Sequence, residues 1–370
     1  MSRHQGFLWN MGLGVLVIGL GGCGAVYCAR AYGVDPWHFA SRQMIWLGLG
    51  VFLFLLTSQV PFRFLKKIAV PAVAVSTAVL ILTLCIGPQV KGMRGWLPIP
   101  FIGLRFQPSE LSKVWYLLLL ILLLQKLEWG EWKRFFSGLI LTFLFCFLIL
   151  LQPDFGTATI YAMTFPVVLF FCGFRKRYTF SVLFGWLPFA VLFVILHPYA
   201  RRRITSFLNP ESDLYGAGWH IFQFRNTMAN GGLTGSNESG ALWAHAYLPF
   251  SHSDSVFAAL VEAAGFAGGF LVLLGFCVML ALFRKAAMDT KEPAAKYFLF
   301  AAGCMLMIQT SLHVGVNATL IPPTGLPMPF FSYGGSNLAG VMLLLGAACS
   351  AYRSQESKPE IDAETVQKDQ

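Results

Sequence analysis

Apolar runs near twenty residues long recur along this chain from one end to the other, each bounded by charged residues or prolines. At 1.5 Å rise per residue, a helix of that length crosses roughly 30 Å of hydrocarbon. Ten spans result, near residues 7–28, 43–60, 68–87, 109–125, 135–151, 156–173, 179–196, 255–283, 296–316 and 332–351. Gln152-Pro153-Asp154 is all that divides the fifth from the sixth. Composition agrees. Of 370 residues, 56% are hydrophobic and 12% charged, about half the charge with which a soluble domain covers itself. The pattern predicts an all-α integral membrane protein of about ten transmembrane helices.

A net charge of +10 invites nucleic acid as a partner. The basic residues, however, form short clusters between apolar runs and no continuous stripe. With the N-terminus inside, the larger share falls on inward segments, for example Arg63, Lys66 and Lys67, or Arg175, Lys176 and Arg177. Cytoplasmic loops carry that excess, so both termini are expected in the cytoplasm. The outward basics concentrate in two long segments, 87–107 and 197–254. The second is the long outer loop between helices 7 and 8, and loops of such length usually fold over something. Residues 1–352 read as one transmembrane domain, and 353–370 as an acidic, flexible cytoplasmic tail.

All eight cysteines lie within or at the ends of apolar runs, and none is paired at CxxC spacing. Neither a disulfide framework nor a metal site is expected. Leu20-Gly21-Gly22-Cys23 faintly resembles a lipoprotein cleavage box, but so many spans follow that an uncleaved first helix is the reading.

Ionisable groups at membrane depth are costly unless paired or wet, which marks Glu110, Lys113, Asp154, Asp254 and Glu262. Glu110 and Lys113 share a helix face three residues apart, as a structural ion pair or as part of a site. Asp254 opens the eighth span in Ser251-His252-Ser253-Asp254, where a helix cap and a catalytic carboxylate are both open readings. Glu262 lies two turns deeper. Arg201, Arg202 and Arg203 break the inside-positive rule together; guanidinium forks suit a substrate diphosphate or lipid headgroups. The segment from Pro322 to Ser336 cannot be helical through its prolines. Irregular backbone at that depth belongs in a protein-lined or wet cavity. No nucleotide-hydrolysis, Ser-His-Asp, zinc or haem signature is present, so any chemistry needs a substrate already activated.

These blocks resemble the FtsW/RodA/SpoVE family. The matching stretches are Phe106-Gln107-Pro108-Ser109-Glu110-Leu111-Ser112-Lys113, Gln152 through Thr157, Arg203-Ile204, Phe207 through Glu211, Gly216-Ala217-Gly218, Gln223, His252-Ser253-Asp254, Glu262 with Gly265, and Pro327 through Ser336. The resemblance runs to about residue 352. The Phe207–Asp213 wording and the short termini look most like the elongation-type member, RodA.

The resemblance implies a glycosyltransferase that polymerises lipid II into glycan strands at the outer face of the cytoplasmic membrane, with a class B penicillin-binding transpeptidase as partner. Its essential loop aspartate matches Asp254, as general base. Arg94, Arg201 and Arg203 would meet the substrate diphosphate, with or without a divalent cation such as Mg2+. Trp96, Glu110, Lys113, Gln223, Glu262 and Ser332 would line the substrate cavity. A lateral groove for the lipid is expected near Gly265 and Gly269, at GxxxG spacing. A lipid II flippase and a non-catalytic scaffold for the transpeptidase remain the rival readings. Several positions depart from the family: Gly95 before Trp96, Ala229, Asn237, Phe250, Ser255 and His313.

Overall fold

The computed structural model describes residues 3–90, 92–99, 104–196, 198–213, 216–236 and 240–354. The tail expected to be flexible lies outside these residues beyond Ser354, as does Asn237. Helices occupy all ten expected spans: α1 (Arg3–Arg30), α2 (Pro36–Gln59), α3 (Phe62–Ile86), α4 (Pro108–Leu124), α5 (Glu131–Leu151), α6 (Phe155–Phe171), α7 (Lys176–Leu196), α11 (Val256–Asp289), α12 (Pro293–Asn317) and α13 (Gly335–Arg353). Eight are long and apolar enough to cross a membrane. The other two, α4 and α6, have 17 residues each, about 25 Å of helix. Both begin next to irregular segments, α4 after the β1–β2 hairpin and α6 after Gln152-Pro153-Asp154.

Local chemistry sets the helix starts. Asp35 caps α2 by accepting the His38 N–H at 3.1 Å, with Pro36 in the first turn. The divide between α5 and α6 holds because Asp154 caps α6, its Oδ1 accepting the Thr157 N–H at 3.0 Å. Gln107 then donates to Asp154 Oδ2 at 2.9 Å and pins the start of α4 beside it.

The best covered spans are α13 and α4. Helices α1 and α2 pack on α11 and α13, whereas α5 and α7 pack on α6, which in turn meets α12. Buried Tyr116, Phe145, Tyr161 and Phe298 belong to one apolar core. The long outer loop is itself helical: α8 (Pro198–Leu208), a 3-10 turn (Pro210–Asp213), α9 (Ala217–Gly231) and α10 (Leu242–Tyr247). The shorter outer loop forms a two-stranded hairpin, β1 (Leu97–Pro98) antiparallel to β2 (Arg105–Phe106).

Helix α11 is broken at Gly265 (φ 71°, ψ −179°). The turn after α9 enters the break. Phe266 N–H donates to Gly232 O at 2.9 Å, Ala267 N–H to Leu233 O at 3.0 Å, and Ser236 N–H to Glu262 O at 2.8 Å. Backbone groups freed by the break are thereby satisfied at membrane depth, as a lipid environment requires. Gly265 thus marks the junction between α11 and the turn after α9.

Candidate active site

The Pro322–Ser336 segment holds the outer mouth together, and its bonds explain why so many small and polar residues occur there. Ser332 Oγ accepts from Met328 N–H at 2.7 Å and donates to Ser253 O at 2.6 Å. Tyr333 N–H donates to His252 O at 2.9 Å. Gln309 on α12 donates to Pro327 O at 2.9 Å, and Asn337 on α13 to Met328 O at 3.1 Å. His313, where the family commonly has Asn, holds Leu326 O through Nδ1 at 2.6 Å.

Asp254 sits half-buried on the turn that this segment supports. Its backbone carbonyl accepts from Asn317 Nδ2 at 3.1 Å. Asn317 Oδ1 also takes the Ala258 N–H at 3.0 Å, and the N-cap position of α11 is Ser255. The Asp254 carboxylate faces Gly325: a Cβ there would lie 3.7 Å from Oδ2, and Gly325 has φ +67°.

Beside Asp254 lie two groups from the long loop. Arg203 on α8 reaches across to donate to Pro323 O at 2.7 Å. His220 on α9 feels both Arg203 and Asp254. Burial first, then Arg203, holds its imidazole below the ordinary range, while Asp254 pulls the other way. His220 was not singled out in the sequence. Its only signal was its place two residues after Gly218, and nothing local distinguishes it from a surface histidine.

A cavity of about 500 Å³ opens next to these residues. Ala158, Met163, Leu183, Trp186, Ile204 and Leu312 contribute to its apolar lining, Arg203 is its charged residue, and Pro322–Thr324 close its end next to Gly325. The cavity lies between α6, α7 and α8, and neither Gly265 nor Gly269 lines it.

The other expected site residues separate into distinct roles. Glu110 and Lys113 are buried and bonded to each other at 2.8 and 2.9 Å, and Lys113 also donates to Gln309 Oε1 at 2.9 Å. All three ammonium protons are thereby used. Glu262 accepts Trp243 N–H at 2.7 Å and Ala244 N–H at 2.8 Å, capping α10. Gln223 Oε1 accepts from Trp243 Nε1 at 2.9 Å. Ser332 is fully engaged as described. Arg94 and Trp96 lie on the α3–α4 hairpin side, where Gly95 packs near Gln152 and Gln107. Among the described residues no hydrogen bond joins them to Asp254. Arg201 is exposed on α8.

A family model described as "Cell cycle protein" (FtsW/RodA/SpoVE) matches residues 6–357. The chain belongs to that family. The probable peptidoglycan glycosyltransferase FtsW of Coxiella burnetii is 34% identical over 346 residues, 91% of each chain. A solved chain from work on a peptidoglycan synthase complex that coordinates polymerization and crosslinking aligns with TM-score 0.80 at 29% identity, covering 95% of this chain and 98% of its own. Rod shape determining protein RodA of Thermus thermophilus aligns with TM-score 0.71 at 27% identity and the same coverage. This family member is a glycosyltransferase and a multi-pass protein of the cytoplasmic membrane. The curated relatives carry the FtsW name, so the leaning towards RodA does not follow from them.

Proposed function

We propose that this glycosyltransferase polymerises lipid II into glycan strands at the outer face of the membrane, with both termini in the cytoplasm and a class B penicillin-binding transpeptidase as partner. The observation that carries the reading is the Asp254 carboxylate facing Gly325, the residue after Thr324, which lines an apolar cavity whose charged residue is Arg203. A polyprenyl tail suits the groove, a diphosphate suits the guanidinium, and the carboxylate stands where a sugar hydroxyl would arrive.

Asp254 accepts the proton of the acceptor GlcNAc 4-hydroxyl as that oxygen bonds to C1 of the donor MurNAc. The C1–O bond to the diphosphate breaks on the opposite face, inverting C1, and its electron pair leaves with undecaprenyl diphosphate. Arg203 meets the growing charge, with Arg201 and Arg94 further out. A divalent cation such as Mg2+, if bound with the diphosphate, would add to the neutralisation of its charge. Among the described residues no three His, Cys, Asp or Glu side chains gather to cage it.

The test is glycan length from labelled lipid II, given to purified protein with and without its transpeptidase, for wild type and Asp254→Asn. Polymer from wild type and its loss in the variant support the reading. Unchanged polymer from Asp254→Asn removes the base. Lipid translocation in vesicles with no polymer from wild type favours the flippase, and neither activity favours the scaffold. An elongation role rests on the Phe207–Asp213 wording; rounding rather than filamentation of depleted cells supports it.

A further inference from the structure

Inverting transfer needs its two substrates on opposite faces of the reacting carbon, so a donor seated in the α6–α8 groove leaves the acceptor to approach Asp254 from elsewhere. The α1–α2 side carries a second set of groups suited to the same headgroup. Arg30, at the outer end of α1, is half-buried, and its Nε is shielded from solvent with no hydrogen-bond partner. Among the described residues it enters no ion pair. A half-buried arginine left with an unmade bond calls for an explanation.

The guanidinium lies 4.9 Å from the Phe39 ring centroid. Phe39 in turn stands 4.4 Å from the His252 ring and 5.2 Å from the Tyr333 ring, which is itself 5.6 Å from His252. Phe39, His252 and Tyr333 are all only half-covered by protein. His245 adds a second polar edge: a Cβ on Gly33 would meet His245 Cε1 at 3.6 Å and Arg30 Nε at 3.8 Å, and His245 Nδ1 is another buried atom lacking a hydrogen-bond partner. The rings therefore form a continuous path from Arg30, whose Nε lacks a hydrogen-bond partner, to His252, two residues before Asp254. Lipid II has the same order of parts: a diphosphate, two sugar rings, then the 4-hydroxyl that must reach the base.

We propose that the Arg30–Phe39–Tyr333–His252 cluster is the acceptor subsite, with Arg30 holding the diphosphate and the rings carrying the sugars of a polyprenyl-diphosphate disaccharide. This rests on the polymerase reading. Aromatic faces suit the apolar faces of sugar rings, and a bare guanidinium suits phosphate oxygens. The same chemistry would fit an anionic phospholipid headgroup, which the test separates.

The probe is the disaccharide diphosphate without a lipid tail, which the apolar groove has little hold on. Its affinity is measured by calorimetry on full-length protein in detergent. Arg30→Gln and Phe39→Ala should each weaken binding about tenfold or more, Phe39→Trp should restore it, and thermal melting should confirm folding of each variant. Unchanged affinity in folded Arg30→Gln and Phe39→Ala overturns the proposal. So does full displacement by a phosphatidylglycerol headgroup analogue at equal concentration, which would make the cluster a membrane anchor. A second arm uses lipid II capped at its 4-hydroxyl, which can act only as donor, and varies first uncapped lipid II against saturating capped lipid II and then capped lipid II against fixed uncapped lipid II, for wild type and Arg30→Gln. The expected result is a raised acceptor KM at unchanged donor KM; a raised donor KM alone overturns the assignment. Wild type that makes no product refutes the polymerase reading, and calorimetry still decides whether the cluster binds the headgroup.

Discussion

The carbonyl oxygen of Leu233 lies 2.3 Å from where a Cβ on Gly265 would stand, with the Gly235 amide nitrogen 2.4 Å away. Gly265 also has φ +71°, a region that side chains other than glycine's avoid. The turn after α9 can enter α11 only because this position has no side chain. Helix α9, which carries His220, is thereby fastened to the helix that begins just past Asp254. Gly265→Ala should lower the melting temperature and cut polymerisation at least tenfold. Gly12→Ala, where a Cβ would meet nothing within 4 Å, should leave both unchanged. Melting curves and lipid II turnover on the two variants check this.

Asp254→Asn keeps the shape of the side chain and removes its basicity. A general base contributes typically 10²–10⁴ in rate, so polymerisation should fall by roughly that factor with thermal stability unchanged. Single-turnover assays on the folded variant measure it. A rate within threefold of wild type would exclude proton abstraction by this residue.

Lys113 and Glu110 should behave as a buried pair. Removing one partner strands the other charge, at a cost of about 3–5 kcal/mol. Lys113→Met should therefore destabilise strongly, and Glu110→Gln combined with Lys113→Met should recover much of the loss. Chemical unfolding across the double-mutant cycle gives the coupling. Single variants that fold normally but show a raised KM would instead make the pair a substrate ligand.

Glu262 supplies two acceptor oxygens to the first amides of α10. Glu262→Gln leaves one of those N–H groups facing an amide, so about 1–3 kcal/mol should be lost. Hydrogen exchange at Trp243 and Ala244 should accelerate. Retained protection at both amides would show that the cap does not depend on the carboxylate.

His220 has a depressed pKa, lowered first by burial and then by Arg203, with Asp254 opposing. Its neutral form is favoured in the folded protein, so the unfolded chain binds the proton first as pH falls. Stability should accordingly decline below the ordinary histidine value of about 6.5, and His220→Asn should flatten that decline. Arg203→Gln should move the His220 titration up and Asp254→Asn should move it down, read by NMR of the labelled ring. A titration indifferent to both variants would separate His220 from the site.

The ten spans were legible because hydrocarbon imposes a length and a composition that chain order alone reveals. The irregular Pro322–Ser336 stretch was legible for a related reason: proline and glycine exclude helix wherever they fall. The three-residue spacing placed Glu110 and Lys113 on one helix face and left their role open; the structure shows them bonded to each other. What sequence left open was every relation between distant segments. Asn317, 63 residues after Asp254, accepts the Ala258 N–H at the start of α11 and donates to the Asp254 carbonyl, a bond that no local pattern announces. The glycine at position 265 admits a turn of the long loop, because a small residue permits close approach without saying what approaches. Arg203, His220 and Asp254 lie on three different elements, and only the folding of α8 and α9 back over the helix ends brings them to one place. Periodicity and hydropathy are properties of neighbours along the chain, whereas a catalytic site is made by neighbours in space.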